Sequence, residues 1–405
     1  MRILQLCNKP PLPKIDGGCI AIHNIAAGLL SRNEDLHILT ISTDKHPFLR
    51  EAYPPDFLAQ TKMEGVFVDT RVNIIDAFSA LVTSDSYNIS RFFSSDFDRL
   101  LVQRLQENTY DIVHLESLFM TPYISTIRRN SDAKIVLRSH NLEHLIWERL
   151  ADSAGNQAKK LYLKHLAAKL KTYEKKTINE VDGIAAISFE DTSRFKQLKC
   201  KVPMITIPFG IDLDNYTYQP LPQKPLQHLF HLGAMNWAPN LEAINWLLDE
   251  MWPQLSNLPV QLHLAGREMP ASIQKQASDK LVVQGEIEDA IDFMRQGEIM
   301  IVPLLSGSGM RVKIIEGMAL GKVVITTTVG AEGIDYINGQ HLLIADTPEA
   351  FFAHVQKLST DETFGHHIST EARKLVEEKY DNFKIMDQLS DFYNQLLVQT
   401  TLHLR

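Results

Sequence analysis

The hydrophobic positions of this chain form short apolar runs, separated by longer stretches in which apolar residues recur at helical spacing. This alternation is typical of parallel α/β sheets, where a helix follows each buried strand. The runs predict strands at 2–6, 36–42, 111–115, 134–139 and 183–187, and again at 229–232, 261–265, 281–284, 299–302 and 323–326. We therefore predict an α/β protein with two doubly wound, Rossmann-like domains that face a cleft and bind ligands outside the carboxyl ends of their strands.

A change in this pattern marks the predicted domain boundary. The segment 203–210 has the pattern of a strand that runs into a turn, and the proline-rich stretch 219–225 follows it. We predict a first domain at 1–207 and a second at 208–382, with a C-terminal helix at 383–398 that packs back on the first. Between 49 and 95 the alternation breaks down, so we expect loops and short helices there.

Composition narrows the class of partner. The chain has 405 residues and 44% apolar content, enough for ordinary globular cores. Its formal net charge of -8 argues against nucleic acid as the main partner. Cys7, Cys19 and Cys200 are too few and too scattered for a disulfide framework or a zinc site. The first residues have the pattern of a strand rather than a signal peptide, and no apolar run reaches the roughly 18 residues of a membrane span, so we expect a cytoplasmic protein.

The most informative segment is the glycine-rich turn at 306–310 and the helix predicted at 311–319. Small residues let backbone N–H groups approach a ligand closely, and the positive end of the helix faces the same space. Arg311 and Lys313 place two cations at the mouth, and Glu316 lies about one turn deeper. These features predict a site for a diphosphate joined to a hydroxyl-rich group, and a nucleotide sugar is such a molecule.

Two further turns have the same small-residue character. Gly17 and Gly18 lie between the first strand and a helix predicted at 20–30, and Gly233 opens the turn 233–240 after the first strand of the second domain. Each can admit a phosphate-bearing ligand, although a tight βα turn explains the pair Gly17-Gly18 equally well. The G-x-G-x-x-G pattern is missing there, which argues against a dinucleotide. We expect Trp237 and Trp246 to serve packing rather than stacking.

His140 lies in the segment 139–144, whose letters match the zinc-protease pattern H-x-x-E-H. That pattern needs a helix that carries both histidines on one face, and here His140 abuts a strand, so we disfavour a metalloprotease. A histidine at the cleft that hydrogen-bonds a sugar hydroxyl is the preferred interpretation. A structural histidine with a backbone partner is the alternative.

Asp212 and Asp214 resemble the aspartate pair that holds a divalent ion in metal-dependent sugar transferases. Aspartates at such a position commonly cap turns, and we prefer that interpretation. Because Arg311 and Lys313 can neutralise a diphosphate, we expect no metal and no other cofactor.

The segment 157–181 forms a predicted helix with seven lysines against Glu174 and Glu180. Such a helix can rest on an anionic membrane surface, which would place the protein at the inner face of the membrane. A solvated helix with one face on the core is the preferred alternative.

Taken together, these motifs resemble glycosyltransferase family 4, the retaining nucleotide-sugar enzymes of GT-B fold. The resemblance is strongest in LGAMNWAPNLEAINW at 232–246, LAGRE at 264–268 and the segment 306–334. In the first domain it covers Gly17-Gly18 and the segments 139–141, 173–174 and 181–188. It extends over nearly the whole chain and is specific for family and fold rather than for substrate.

The family commonly has two glutamates with seven residues between them around the glycine turn. Glu316 matches the second, whose implied role is to bind the ribose hydroxyls of the nucleotide, whereas Ser308 stands where the first would be. Backbone N–H groups of Gly309 and Met310 are then expected to hold the donor sugar. Gly233, Asn236 and Arg267 complete the donor-binding residues that the resemblance implies, Arg267 standing for an arginine that many members carry one strand earlier.

The resemblance implies a retaining sugar transfer from a nucleoside-diphosphate donor to a glycan, a lipid-linked or a small-molecule acceptor, in cell-surface polysaccharide or glycoconjugate synthesis. Arg311 and Lys313 would stabilise the leaving diphosphate, Glu316 would position the donor, and His140 would contact the sugar. With no carboxylate placed as a covalent nucleophile, front-face departure and attack is the expected mechanism. Two alternatives remain at this point: a nucleotide-sugar epimerase of the same fold, and a catalytically inactive sugar-nucleotide-binding protein.

Overall fold

A computed structural model describes residues 1–13, 15–70, 87–152, 154–307 and 309–403. The chain folds into two compact units. The first consists of Met1–Pro208 together with Ile385–Arg405, and the second of Phe209–Lys384. The chain therefore leaves the first unit once and returns to it with its last helix.

In the described part of the first unit, seven parallel strands pair in the order β3-β2-β1-β4-β5-β6-β7. They are β1 Arg2–Cys7, β2 Asp35–Ser42, β3 Glu64–Phe67, β4 Ile112–Glu116, β5 Lys134–Ser139, β6 Gly183–Ala186 and β7 Met204–Thr206. The central strand β4 is buried along its whole length, as expected for a parallel sheet covered on both faces. The five strands predicted in this half are confirmed to within one residue. The short edge strand β3 lies where loops and helices were predicted, because its four half-exposed residues carry no apolar run.

The helices of the first unit fill the connections between these strands. They are Gly17–Ser31, Pro55–Thr61, Tyr87–Ser90, Ser95–Glu107, Ile124–Asn130, Glu143–Asp152, Gln157–Thr177 and Phe189–Gln197, with 3-10 turns at Arg50–Ala52 and Leu118–Tyr123. The first helix begins at Gly17, three residues before the predicted start, because the Asp16 carboxylate accepts the N–H of Cys19 at 3.0 Å and caps it. Gly17 and Gly18 therefore belong to the first helical turn and not to a preceding loop.

The C-terminal helix Asn382–His403 packs on the sheet of the first unit. Its side chains Ile385, Leu389 and Phe392 are buried in one cluster with residues of β1 and β2. A Cβ atom at Gly183 would lie 2.8 Å from the Phe392 ring, so the helix approaches the backbone of β6 closely. A side chain larger than hydrogen at Gly183 would displace the Phe392 side chain of this helix.

The second unit repeats the architecture. Six parallel strands of its described part pair in the order β10-β9-β8-β11-β12-β13. They are β8 His228–Leu232, β9 Gln261–Ala265, β10 Leu281–Gly285, β11 Ile299–Val302, β12 Val323–Thr326 and β13 Leu343–Ile344. Its helices are Ala238–Trp246, Trp252–Leu255, Ala271–Gln274, Ala290–Gln296, Val312–Ala319, Pro348–Leu358 and Glu362–Lys379, with a 3-10 turn at Leu213–Asn215 and a π turn at Leu247–Met251. The five strands predicted in this half are again confirmed to within one residue. Strand β13 was not predicted, because it has only two residues.

In each sheet the strand order reverses beside the first strand of that sheet. The reversal falls between β1 and β4 in the first unit and between β8 and β11 in the second. Connections leave the two strands toward opposite sides, which opens a crevice at their carboxyl ends. The two predicted glycine turns of the second unit and the start of the first helix all follow one of these four strands.

The turn after β9 packs closely against the turn after β8, and this packing leads to a prediction about stability. Gly266 follows β9 with φ 151°, and a Cβ atom there would lie 1.8 Å from the carbonyl oxygen of Gly233. We expect Gly266→Ala to lower the free energy of unfolding by at least about 2 kcal/mol, measured by urea denaturation. Gly155→Ala is the control, since no non-neighbouring atom of the described residues lies within 4 Å of the added methyl group, and it should change stability by less than about 0.5 kcal/mol. Equal stability of the two variants would contradict this packing.

Candidate functional site

The glycine-rich turn joins β11 to the helix Val312–Ala319. Gly307 has φ 108° and Gly309 has φ 85°, both in the left-handed region that favours glycine. A Cβ atom at Gly307 would meet Arg311 Nη2 at 2.9 Å and the Trp237 ring at 3.1 Å. Ser308, the predicted replacement for the family's first glutamate, lies outside the described residues. The glycines thus let the turn close tightly around the Arg311 side chain.

Arg311 is the N-cap residue of this helix, one position before the first helical residue and not within the helix as predicted. Its side chain is buried, and Nη1 donates to the carbonyl oxygen of Gly309. The guanidinium carbon lies 5.5 Å from the centre of the Trp237 ring, a cation–π contact. Burial lowers the pKa of Arg311, against the opposing charge of Glu332. A guanidinium nevertheless stays charged in proteins, so the turn holds a buried positive charge.

Lys313 brings the two glycine turns of the second unit together. Its Nζ donates to the carbonyl oxygen of Leu232 at 2.8 Å and lies 3.4 Å from Asn240 Oδ1. Loss of hydration and the charge of Arg311 lower the pKa of Lys313 to about 7. These contacts join the first turn of the helix Val312–Ala319 to the end of β8 and to Asn240 in the helix that follows β8.

Glu316 accepts a hydrogen bond from the Tyr216 hydroxyl at 2.6 Å. Burial and the Glu316 charge raise the pKa of Tyr216, so this hydroxyl stays a donor. Nearby, Asp212 caps the turn Leu213–Asn215 and accepts the N–H of Asp214 at 3.2 Å. This is the turn-capping role preferred for the aspartate pair.

The remaining donor candidates of the second unit divide into two groups. A Cβ atom at Gly233 would lie 2.7 Å from Asn240 Nδ2, so Gly233 adjoins the Lys313 contact. Asn236 donates to Glu268 at 2.8 Å on the exposed surface. Arg267 is also exposed, and its backbone carbonyl accepts the N–H of Met235 at 2.9 Å. Gly233 therefore lies at the cationic centre, whereas Asn236 and Arg267 lie at its rim.

Three other residues refine this picture. Trp237 is 38% exposed and its ring faces the Arg311 guanidinium, whereas Trp246 packs edge-on against Phe351. Asn240 is buried and contacts Lys313. The sequence did not predict it as a site residue, because the two residues are 73 positions apart in the chain.

The turn after β12 lies against the glycine-rich turn. A Cβ atom at Gly333 would be 3.5 Å from Met310 Cα, and Gly333 itself has φ 83°. The Thr327 hydroxyl donates to the carbonyl oxygen of Leu304 and ties the two segments together. Met310 is therefore backed by a second turn.

In the first unit, His140 follows β5 and contacts a buried carboxylate. Its Nε2 lies 2.8 Å from Glu116 Oε2. Glu116 ends β4, is wholly buried, and also accepts from Gln5 at 2.8 Å. The prediction missed Glu116, because only the strand order of the folded sheet shows that β4 ends beside the reversal point. Among the described residues, the hydrogen-bond partner of His140 Nε2 is thus a carboxylate rather than a backbone group.

The second histidine of the H-x-x-E-H letters has a different role. His144 hydrogen-bonds to Glu174, which also accepts the N–H of Glu143 at 2.9 Å and caps the helix Glu143–Asp152. Because His140 and His144 bind different carboxylates, the arrangement does not fit a zinc protease. Burial and the Glu174 charge raise the pKa of Glu143 to about 7.

One group of candidate metal ligands occurs among the described residues: Asp16, Cys19 and His46, with ligand atoms within 4.8 Å of one another. Lys9 Nζ lies 2.9 Å from both carboxylate oxygens of Asp16, and His46 Nε2 lies 2.9 Å from one of them. The ammonium group already neutralises this carboxylate, so the cluster is an ion-pair network at the start of the first helix. That no metal is needed stays a prediction.

None of the helices in the described ranges is both long and apolar enough to cross a membrane.

Two family models match the chain. Residues 15–215 match the model described as Glycosyltransferase Family 4, and residues 227–361 match the one described as Glycosyl transferases group 1. Over 301 residues, 69% of this chain and 73% of the relative, the sequence is 25% identical to an uncharacterized 44.6 kDa protein in the cps region of Klebsiella pneumoniae. Both units thus match models of sugar transferases.

Solved structures share the fold across nearly the whole chain. Sucrose-phosphate synthase from Thermosynechococcus elongatus superposes with a TM-score of 0.68 at 14% identity, covering 98% of this chain and 100% of that one. Anabaena HepE in complex with UDP gives 0.64 at 14% identity, with 98% and 100% covered. The pneumococcal O-GlcNAc transferase GtfA in complex with UDP and GlcNAc gives 0.63 at 12% identity, with 98% and 99% covered. The chain belongs to glycosyltransferase family 4 and is a glycosyltransferase of GT-B fold.

Proposed function

We propose that this enzyme transfers a sugar from a nucleoside-diphosphate donor with retention at the anomeric carbon. The observation that carries the proposal is the cation pair of Arg311 and Lys313 beside a glycine turn at a helix start, with Glu316 one turn deeper. A diphosphate fits such a place because helix N-termini and buried cations both favour anions. HepE was solved with UDP, and GtfA with UDP and GlcNAc, which supports a nucleotide ligand for this fold.

In this proposal the charge on the leaving diphosphate is stabilised by Arg311 and Lys313, fixed in place before the reaction begins. Glu316 binds the ribose hydroxyls, and backbone N–H groups of Gly309 and Met310 hold the sugar. Front-face departure and attack follows, without a covalent intermediate and without a divalent ion, because the two side-chain cations already supply the neutralising charge. His140 of the first unit contacts a substrate hydroxyl.

We propose a glycan or lipid-linked sugar as the acceptor, in the synthesis of a cell-surface polysaccharide. The support is the relative encoded in the cps region. The proposal is tested by incubating UDP-, GDP- and ADP-sugars with and without acceptors and following the anomeric configuration of the product by NMR. An epimerised sugar formed from donor alone would favour the epimerase alternative, and an inverted product would reject retention.

Arg311 should matter more for turnover than for binding. A charge-assisted hydrogen bond is worth about 1.5–3 kcal/mol and strengthens as the leaving group gains charge. We expect Arg311→Met to lower kcat roughly ten- to a hundredfold, with a smaller loss of donor affinity and an unchanged melting temperature. The matched control is Arg295→Met, which removes a half-buried arginine paired with Asp292. Normal turnover of a folded Arg311→Met protein would reject this site.

The lowered pKa of Lys313 leads us to expect that nucleotide binding depends on pH. Its pKa near 7 leaves the ammonium largely deprotonated at pH 8, and a bound diphosphate raises that pKa, so binding should take up about half to one proton. Affinity should therefore fall as pH rises above about 7. Calorimetry of UDP binding at pH 8 in two buffers of different ionisation enthalpy measures the uptake.

Lys313→Met should abolish this proton uptake and weaken binding, whereas Lys322→Met is a control outside the proposed diphosphate contacts. All titrations contain EDTA, so loss of binding that magnesium restores would revive Asp212 and Asp214 as metal ligands. Identical heats in both buffers for the wild type would contradict the role of Lys313.

We also propose that the helical hairpin Glu143–Asp152 and Gln157–Thr177 contacts an anionic membrane surface, where a lipid-linked acceptor would be found. Leu161 is 72% exposed, and Tyr162 beside it is 41% exposed. On the same helix, Lys160 and Lys164 both lie 3.8 Å from the carboxylate of Asp152, so two ammonium groups share one negative charge. Exposed apolar side chains with lysines suit an anionic bilayer interface.

The double variant Leu161→Ser, Tyr162→Ser should bind phosphatidylglycerol-containing vesicles at least about fivefold more weakly than the wild type, because it buries less apolar surface in the bilayer. Sedimentation with vesicles measures this, with pure phosphatidylcholine as the uncharged reference. Phe189→Ser is the control, since Phe189 is 60% exposed on a different helix. Equal sedimentation of all three proteins would leave the hairpin as a solvated surface.

A further inference from the structure

A buried carboxylate network lies behind His140. Glu116 accepts hydrogen bonds from Gln5 Nε2 at 2.8 Å, His114 Nε2 at 3.1 Å and His140 Nε2 at 2.8 Å. The first two donors contact Oε1, and His140 contacts Oε2. Arg138 Nε lies 3.9 Å from Oε2. Strands β1, β4 and β5 thus converge on one carboxylate at the reversal point of the first sheet.

The protonation of this network follows from the carboxylate. Burial alone would raise the pKa of Glu116. The hydrogen bonds and the charge interactions of His114 and His140 outweigh burial and hold this pKa well below its usual range. An ionised carboxylate only accepts hydrogen bonds, so the Nε2 atoms of both histidines must carry hydrogen. The Tyr393 hydroxyl of the C-terminal helix bonds to the other ring nitrogen of His114 and fixes that ring.

The consequence for His140 concerns its second ring nitrogen. Burial lowers the pKa of His140, Arg138 and Lys9 add to this effect, and Glu116 opposes it, so the ring is neutral near pH 7. In a neutral imidazole with hydrogen on Nε2, Nδ1 carries a lone pair. Nδ1 makes no hydrogen bond within the described part of the chain, and 15% of the side chain is exposed.

We infer that Glu116 is a positioning residue that fixes the tautomer of His140 and presents Nδ1 to the substrate as a hydrogen-bond acceptor. The group that binds there is then a hydroxyl that donates, rather than a carbonyl or a phosphate oxygen. The inference rests on the proposed placement of His140 at the substrate. It adds a residue that no sequence motif of the chain marks, together with the direction of a hydrogen bond.

A purely structural role accounts poorly for this network. Arg138 and Glu116 are both buried, yet Arg138 Nε lies 3.9 Å from the carboxylate oxygen Oε2 and has no hydrogen-bond partner in the described residues. Buried charges with imperfect pairing cost free energy relative to apolar side chains of similar volume. Perturbed buried groups of this kind concentrate at functional sites.

The variant Glu116→Gln reverses the hydrogen bond at His140. Two donors, from Gln5 and His114, hold the amide oxygen at the Oε1 position, so the amide nitrogen faces His140 and donates. His140 Nε2 must then accept, and hydrogen moves to Nδ1. Long-range ¹⁵N–¹H NMR of the imidazoles at pH 7 should show an Nε2–H tautomer in the wild type and an Nδ1–H tautomer in the variant.

The same variant should lower kcat roughly ten- to a hundredfold, because the hydrogen bond that orients His140 is reversed. UDP affinity should stay unchanged. Glu116→Asp keeps an acceptor and should retain the wild-type tautomer and part of the activity. Glu174→Gln, which removes a buried carboxylate paired with His144, should lower the melting temperature without moving the His140 signals.

A wild-type Nδ1–H tautomer overturns the inference even if Glu116→Gln does not fold. A reversed tautomer with unchanged kcat also overturns it, and leaves the nucleotide site, tested through Arg311, standing. Failure of transfer with every donor would reject the proposed function while the NMR result still decides the tautomer.

Discussion

The reversal of strand order beside the first strand of each sheet is the constraint on which the candidate site depends. A parallel strand pairs its backbone groups inside the sheet, and helices cover both faces, so polar side chains gather where strands end. In the first unit this places Glu116 at the end of β4, opposite Cys7 at the end of β1. In the second unit it places the turns after β8 and β11 side by side, where Lys313 bonds to Leu232.

The two units offer opposite chemistry at these equivalent positions. The second unit holds cations: Lys313 is bound by a carbonyl and an amide oxygen rather than by a carboxylate. Burial and the charge of Arg311 lower its pKa. The first unit holds a buried carboxylate whose donors include two histidines. Charges kept in low-polarity surroundings cost stability, and they are retained where a ligand or a reaction uses them.

The C-terminal helix connects the end of the chain to this chemistry. It buries Phe392 and Leu396 close to the backbone of Gly183, and its Tyr393 reaches His114 across 279 residues of sequence. The helix thus completes the core of the first unit and also fixes one ring of the network behind His140. Its packing and the orientation of that network are physically linked, since one element provides both.

The sequence by itself determined the fold class, the family and the principal strands, because these depend on local apolar runs, on glycines where backbone bends sharply, and on motifs of adjacent residues. It also located Arg311, Lys313 and Glu316, which share one short segment. Only the tertiary structure decided their partners: Lys313 bonds to Leu232 at the end of β8, and Glu316 bonds to Tyr216, 100 residues away. The contacts of Glu116 with His140 and of Tyr393 with His114 were likewise found only in the tertiary structure. Hydrogen bonds and buried charges join residues that are distant in the chain, and one sequence carries no signal for which distant groups will meet.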